Sequence, residues 1–275
     1  MAIEWLICRE PVHIGGADSS SRGNNNPIYR LSDRTPAIPG SSLRGALREG
    51  AERSSEYQGY VSNWFGGKDD NISPGYIALG WGWPVWWPIH VLGYGSWWVS
   101  CPAWLNRYQQ LSQQNLLNLT EGNIYATDAQ LNGKTVFLRW LKLTKIQTCS
   151  LSLPAPSEVP PDRCIIVPSN SIKLIVDMGL VRQPRVSLKD LKDLEDEKKE
   201  KKEKDKPDKD NSLVKHLFAV EGLPPGAVFM TSWTIRDAQK VQELEKWKAF
   251  LRSEHYLGGL WSVGYGRILI TQIGG

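Results

Sequence analysis

Cysteine and histidine are scarce in this 275-residue sequence, and where they fall excludes several kinds of site. The four cysteines, Cys8, Cys101, Cys149 and Cys164, lie far apart and make no C-x-x-C pair. Neither a structural zinc site nor a disulfide framework is expected, and a reducing, cytoplasmic setting fits better. With only four histidines, His13, His90, His216 and His255, no H-E-x-x-H helix can be written. The opening MAIEWLICRE carries Glu4 and Arg9, which interrupt the apolar run that a secretory leader needs. An excess of charge of one sign is also missing. The 33 Lys+Arg and 29 Asp+Glu leave +4, too little to name a nucleic-acid partner.

Local charge is far from even. From 189 to 210, nine residues are basic and ten acidic, which reads as a solvated insertion. It interrupts a domain without ending it, because patterned sequence resumes at Leu213. From 71 to 106 there is no Asp, Glu, Lys or Arg, yet seven of the 13 tryptophans fall there. Pro74, Pro84, Pro88 and Pro102, with Gly80, Gly82, Gly93 and Gly95, would break any membrane-spanning helix. The block is expected to form short strands and tight turns, as a Trp-rich core or binding surface. No membrane partner is implied.

Hydrophobic periodicity gives an α+β order. AIEWLICREPVHI reads as an opening strand, SSLRGALREGAERS as a helix and CIIVP as a short buried strand. SIKLIVDMGLV fits a strand or a helix. LVKHLFAVEGLPPGAVFMTSWTI reads as two strands about a Pro-Pro-Gly turn. The clearest helix spans 237–254, with Val241, Leu244, Trp247, Phe250 and Leu251 on one face, and GRILITQI closes the chain as a strand.

Two segments suggest chemistry. In PAIPGSSLRGALREGAE, Ser41 or Ser42 is placed to cap a helix whose buried stripe is Leu43, Ala46 and Leu47. Arg44 and Arg48 are spaced i, i+4 near its electropositive N-terminus, so a phosphate seat and an ordinary capped helix both fit. In GGLWSVGYGR, Gly258, Gly259, Gly264 and Gly266 surround Trp261 and Tyr265 and precede Arg267. Glycines admit close approach of a ligand, and the rings offer stacking for unpaired bases. Together the two describe a cradle for single-stranded RNA. Gly133-Lys134-Thr135 is no phosphate loop, because Asp128 stands where the upstream glycine is required.

Several blocks in this order resemble the RAMP superfamily, and most of all the repeated backbone subunit of type III-B (Cmr) CRISPR effector complexes. They are HIGG at 13–16, NPIYR at 26–30, IPGSSLRG at 38–45 and WPI at 87–89 with WVSCP at 98–102. PDR at 161–163, LF at 217–218 with EGLP at 221–224, and the closing glycine loop complete the set. The resemblance implies one domain over 1–275, with a ferredoxin-like (RRM-type) α+β core. A β-hairpin thumb would lie within 181–220, with the charged run as its tip. It implies partners as well: CRISPR guide RNA, target single-stranded RNA, copies of the chain or related RAMP subunits, and other type III effector subunits of antiviral defence.

The resemblance also implies a target-cleaving site that works with a divalent cation such as Mg. His13 and Glu221 match positions associated with it. Its aspartate, however, is replaced here by Asn25, a neutral amide and a poorer cation ligand. The subunit then either binds without cutting or carries the site in an inactivated form. Asp18, nearby, reads as a solvated loop residue. At 90–94, HVLGY stands where the relatives carry two cations, so any phosphate contact there is weakened or replaced by stacking. Two alternatives to RNA-guide binding stand beside it: a stand-alone RAMP endoribonuclease processing repeat RNA, and a Trp-rich ligand or membrane-surface binder.

Overall fold

The computed structural model describes residues 1–15, 25–67, 73–114, 119–149, 153–188, 214–237 and 242–273. Asp18, Val241 and the charged run at 189–210 lie outside them. The first part of the chain forms β1 (Ala2–Cys8), β2 (Asn25–Asn26), α1 (Gly40–Arg53), α2 (Val61–Phe65) and β3 (Ile77–Leu79). Next come β4 (Trp83–Val91), β5 (Gly95–Ser100), α3 (Pro102–Ser112), β6 (Ile124–Ala126), β7 (Val136–Leu138), β8 (Leu141–Leu143) and β9 (Ile146–Thr148). The rest is β10 (Cys164–Ile166), α4 (Ile172–Gly179), β11 (Val181–Leu188), β12 (Val214–Gly222), β13 (Val228–Ile235), α5 (Leu244–Leu251), β14 (His255–Tyr256) and β15 (Arg267–Gln272).

One large mixed sheet runs β14-β15-β1-β13-β4-β5-β10-β6-β9, with β3 added beside β13, β7 beside β4 and β8 beside β7. The β1 strand explains why it has two covered faces. Leu6 and Cys8 point into a core built with α1, α2 and α5, whereas Trp5 and Ile7 point into a second core with Trp86 and α3. Period-2 alternation of apolar side chains on both faces leaves no wet side. On the first face Trp64, Trp247 and Phe250 pack ring to edge or tilted, with centroids 5.2–5.7 Å apart. On the second, Trp5 stacks on Tyr108 at 5.2 Å.

The uncharged block supplies the middle of this sheet. Trp86, Trp87, Trp97 and Trp104 are buried, so most of the block is core and Trp81 is its most exposed tryptophan. Pro84 and Pro88 sit inside β4, although proline donates nothing to a ladder. For Pro84 a bulge resolves this: Val228 faces Trp86 and Phe229 faces Pro84, so Val85 is left over and the strand bends there.

Three expectations are refined. SIKLIVDMGLV is helical as α4, because Ile172, Ile175, Val176 and Met178 bury one stripe. The clear C-terminal helix is shorter, α5 covering eight residues with Trp247, Phe250 and Leu251 buried. α1 starts at Gly40 with Pro39 as its cap and no side-chain cap bond, so Ser41 and Ser42 lie inside its first turn. The four cysteines are free and buried. Burial pushes the Cys101 thiol up to about 11 and the Cys164 thiol up to about 12. Among the described residues no helix is long and apolar enough to cross a membrane.

Candidate functional site

A cleft of 710 Å³ opens where α1, the strand segment after β1 and the loop between β14 and β15 meet. Ser42, Ala46, Glu49 and Arg53 line it from the helix, recurring along a single face at 3.6-residue periodicity. His13, Gly15, His255, Gly258, Gly259 and Trp261 line the opposite side. The loop is stitched to the His13 segment by Gly259 N–H donating to His13 O at 2.9 Å. Gly258 must be glycine: its φ is +81°, and a Cβ there would strike the His13 carbonyl.

His13 is held by its Nδ1 donating to the Glu221 carbonyl at 2.8 Å, so in the neutral ring Nε2 keeps its lone pair beside Gly15. His255 donates from Nε2 to Phe250 O at 3.0 Å, and burial pushes its imidazole down to about 4. Both carboxylates at the cleft are paired, Glu49 with Arg53 and Glu254 with Arg267, each at 2.6 Å. The Arg53 guanidinium also lies over the Trp261 ring at 5.2 Å, and Trp261 is 53% exposed. Such a lip suits a base and ribose, with phosphates toward the arginine side.

The β11–β12 hairpin stands beside the cleft, its strands paired from Val181 opposite Gly222 to Leu188 opposite Val214. β2 runs parallel to β12, with Asn25 opposite Ala219. Glu221 is the fastener. Its carboxylate accepts from Arg30 Nη2 at 3.0 Å and Ile28 N at 3.3 Å, and faces Arg182 Nη2 at 3.4 Å. Asp177 extends the network to Arg30 at 3.2 Å and Arg34 at 2.9 Å, while Arg182 also donates to its backbone carbonyl.

This arrangement corrects part of the sequence expectation. Arg44 and Arg48 do not line the cleft. Arg44 donates to Phe65 O, Arg48 donates to Gly66 O at 3.1 Å and pairs with Glu52, and together they cap the end of α2. Tyr265 is no stacking platform either. It is 4% exposed, packed under Gly222 with Arg185 over its ring, and burial pushes its phenol up. Gly264 and Gly266 shape the loop with φ of +86° and +101° without lining the cleft, and Ser41 lies beside the cleft-lining Ser42. Arg267 is taken by Glu254.

A divalent cation of the Mg kind needs several oxygen ligands, anionic ones foremost. Asn25 contributes no charge, and both oxygens of Glu221 are held by arginines. Among the described residues no cluster of three or more His, Cys, Asp or Glu is placed to hold a metal ion. These residues do not fit the cation.

The family model of the RAMP superfamily matches residues 5–269. The chain belongs to the RAMP superfamily. Solved structures of similar fold include type III-B Cmr-beta in its apo state, with TM-score 0.76 and 15% identity over 99% of this chain and 97% of that one. Cmr-beta bound to cognate target RNA gives 0.74 and 15%, covering 98% and 96%. Oligomeric Cmr4 from Pyrococcus furiosus gives 0.68 and 16%, again over 98% and 96%. No curated protein matches by sequence.

For this RAMP chain, sequence reasoning missed Arg53, Glu49 and His255 as cleft residues and Asp177 and Arg182 as partners of Glu221. The signal for the first two was present. Counting i, i+4, i+7, i+11 from Ser42 reaches Ala46, Glu49 and Arg53, whereas Arg44 is turned about 200° away.

Proposed function

We propose that this RAMP protein is a guide-RNA-binding backbone subunit of a type III CRISPR–Cas ribonucleoprotein, positioning complementary target RNA in antiviral defence. The observation that carries the reading is the cleft itself. It combines the first-turn Ser42 of α1, a glycine-shaped loop and an arginine-backed indole, which bind a sugar–phosphate strand without reading its sequence. The strand order β15-β1-β13-β4, antiparallel throughout, with α1 after β1 and α5 after β13, supports a ferredoxin-like core. The β11–β12 hairpin is the element we assign as the thumb. The RNA-bound Cmr-beta structure and the oligomeric Cmr4 share this fold and support RNA and sister copies as partners.

Within that role the chain binds without metal-dependent cutting, because Asn25 and the arginine-bound Glu221 leave no anionic cation seat among the described residues. A stand-alone processor of repeat RNA is less well supported. It would need a histidine-centred acid/base set, yet the proton-bearing nitrogen of His255 is committed to Phe250 O and has no proton to offer as an acid.

The test is co-purification of the native complex, with sequencing of the RNA it carries. Repeat-derived guides of defined length, with added target RNA left intact in Mg, are expected. Random cellular RNA, or target cleaved in register, would overturn the corresponding half of the reading.

A further inference from the structure

The β7–β8 hairpin, which branches from the end of β4, carries a surface that the cleft does not explain. Phe137 lies opposite Lys142, and Val136 and Leu138 lie opposite Leu143 and Leu141. Val136, Leu138 and Leu143 are buried, so Phe137 and Lys142 face solvent. β7 continues onto the end of β4 through Val91 opposite Leu138, with Leu92 N–H donating to Phe137 O at 2.9 Å and Arg139 N–H to His90 O at 3.3 Å. Leu92, Phe137 and Lys142 therefore form one row across three strands, with His90 and Arg139 beside it. Trp140 stands at the two-residue tip.

Trp140 is 65% exposed, Leu92 63% and Phe137 39%. The charge here has one sign only. Between Asp128 and Glu158 there is no acidic residue, while Lys134, Arg139, Lys142 and Lys145 all fall there. Lys134 lies over the Tyr94 ring at 5.8 Å. Arg139, Lys142 and Lys145 are exposed and form no ion pair among the described residues. In a body where most surface arginines have carboxylate partners, a cationic corner studded with bare rings asks for a polyanion with flat apolar faces.

We propose that the β7–β8 tip is a second contact for single-stranded RNA, separate from the cleft, with a base stacked on Trp140 and neighbouring phosphates held by Arg139 and Lys142. A protein partner would match the rings but would leave the cations without counter-charges unless it were acidic. An unpaired RNA strand satisfies both. β4 runs parallel to β1, since both are antiparallel to β13, so the tip lies toward the end of the sheet from which the chain enters the cleft at His13. The inference rests on the proposed function only in taking RNA as the ligand.

The experiment is a salt titration of a labelled oligouridine against the full chain, freed of bound nucleic acid. It uses Trp140→Ala, Trp140→Phe, the pair Arg139→Ala with Lys142→Ala, and Trp261→Ala in the cleft. Trp140→Ala is expected to weaken binding about tenfold, and Trp140→Phe to recover most of it. The paired variant is expected to flatten the slope of log affinity against log salt by about 1.4, two phosphates at ~0.7 each. If the tip variants bind as wild type while Trp261→Ala weakens binding, the second contact is refuted and the cleft stands. If all bind as wild type, both fall. If Trp140→Ala changes only the sedimenting mass of the RNA-free protein, the tip is a protein–protein surface and the inference is overturned.

Discussion

His255 shows how a single buried side chain sets a pH limit on this molecule. The ring is 3% exposed, against Phe250 at 4.8 Å and with Nε2 bound to Phe250 O at 3.0 Å. Burial disfavours the imidazolium and outweighs the carbonyls and Glu254 pulling the other way, so the folded group titrates at about 4 against 6.5 in an open chain. Above pH 6.5 both states are neutral and His255 adds no pH dependence. Between 6.5 and 4 the unfolded chain takes the proton and the folded one does not. Stability therefore falls with falling pH by about 1.4 kcal/mol per unit, roughly 3 kcal/mol over the window. Urea melts at pH 7, 5.5 and 4.5 should show this loss in the wild type and a shallower one in His255→Gln. Parallel curves would refute it. In the folded cleft the imidazole stays neutral down to about pH 4, so His255 brings no cation to a bound strand at neutral pH.

At the scale of elements, the position of the β11–β12 hairpin depends on one carboxylate. Glu221 bonds the Ile28 amide in the segment after β2, Arg30 on the same segment and Arg182 on β11, and Arg30 is only 9% exposed. The Nε of Arg30 already lacks a partner, so losing Glu221 leaves a nearly buried guanidinium resting on Asp177 alone. Glu221→Gln is expected to cost about 3 kcal/mol and to speed amide exchange at the base of β11. The double change Arg30→Met with Glu221→Leu should recover most of that stability. Unchanged exchange in Glu221→Gln would show that the hairpin is positioned by other means. Of the two hairpin strands, β12 was legible in LVKHLFAVEG, whereas β11, VRQPRVSL, followed only from the family resemblance because a central proline and its polar residues blur the pattern. The role of Glu221 as their fastener was not legible, because Arg30, Asp177 and Arg182 meet it only through tertiary contacts. α1 makes the same point: its helix is written in Leu43, Leu47 and Ala51, but α2 is five residues with too short a pattern to read. Without the α2 carbonyls in view, Arg44 and Arg48 look free. α4 was ambiguous for another reason, since its end depends on Gly179 meeting the Trp87 indole, a contact distant in sequence.

For the whole molecule, the slight net charge conceals two populations. Outside residues 189–210 the chain has 24 basic and 19 acidic residues, a sparsely charged body at +5. Three groups of its cations bear on a bound strand. One is locked by Glu221 and Asp177, one caps α2, and the third, Arg53 with Arg139 and Lys142, is the set our proposals assign to a strand. A protein with so few phosphate contacts per copy holds a long RNA weakly when alone. Copies set side by side on one strand each gain from the high local concentration the RNA creates, so occupancy rises cooperatively with length. The expected result, by sedimentation or single-particle mass measurement, is a ladder in which each fixed increment of RNA adds one chain. Affinity per chain should rise from the first copy to the next. Raising salt should shorten the ladder on short RNAs before long ones, because those with fewest copies lose the least-supported contacts first. A complex that stays at one chain per RNA at every length would refute the backbone role, and would favour an enzyme acting on single RNA hairpins.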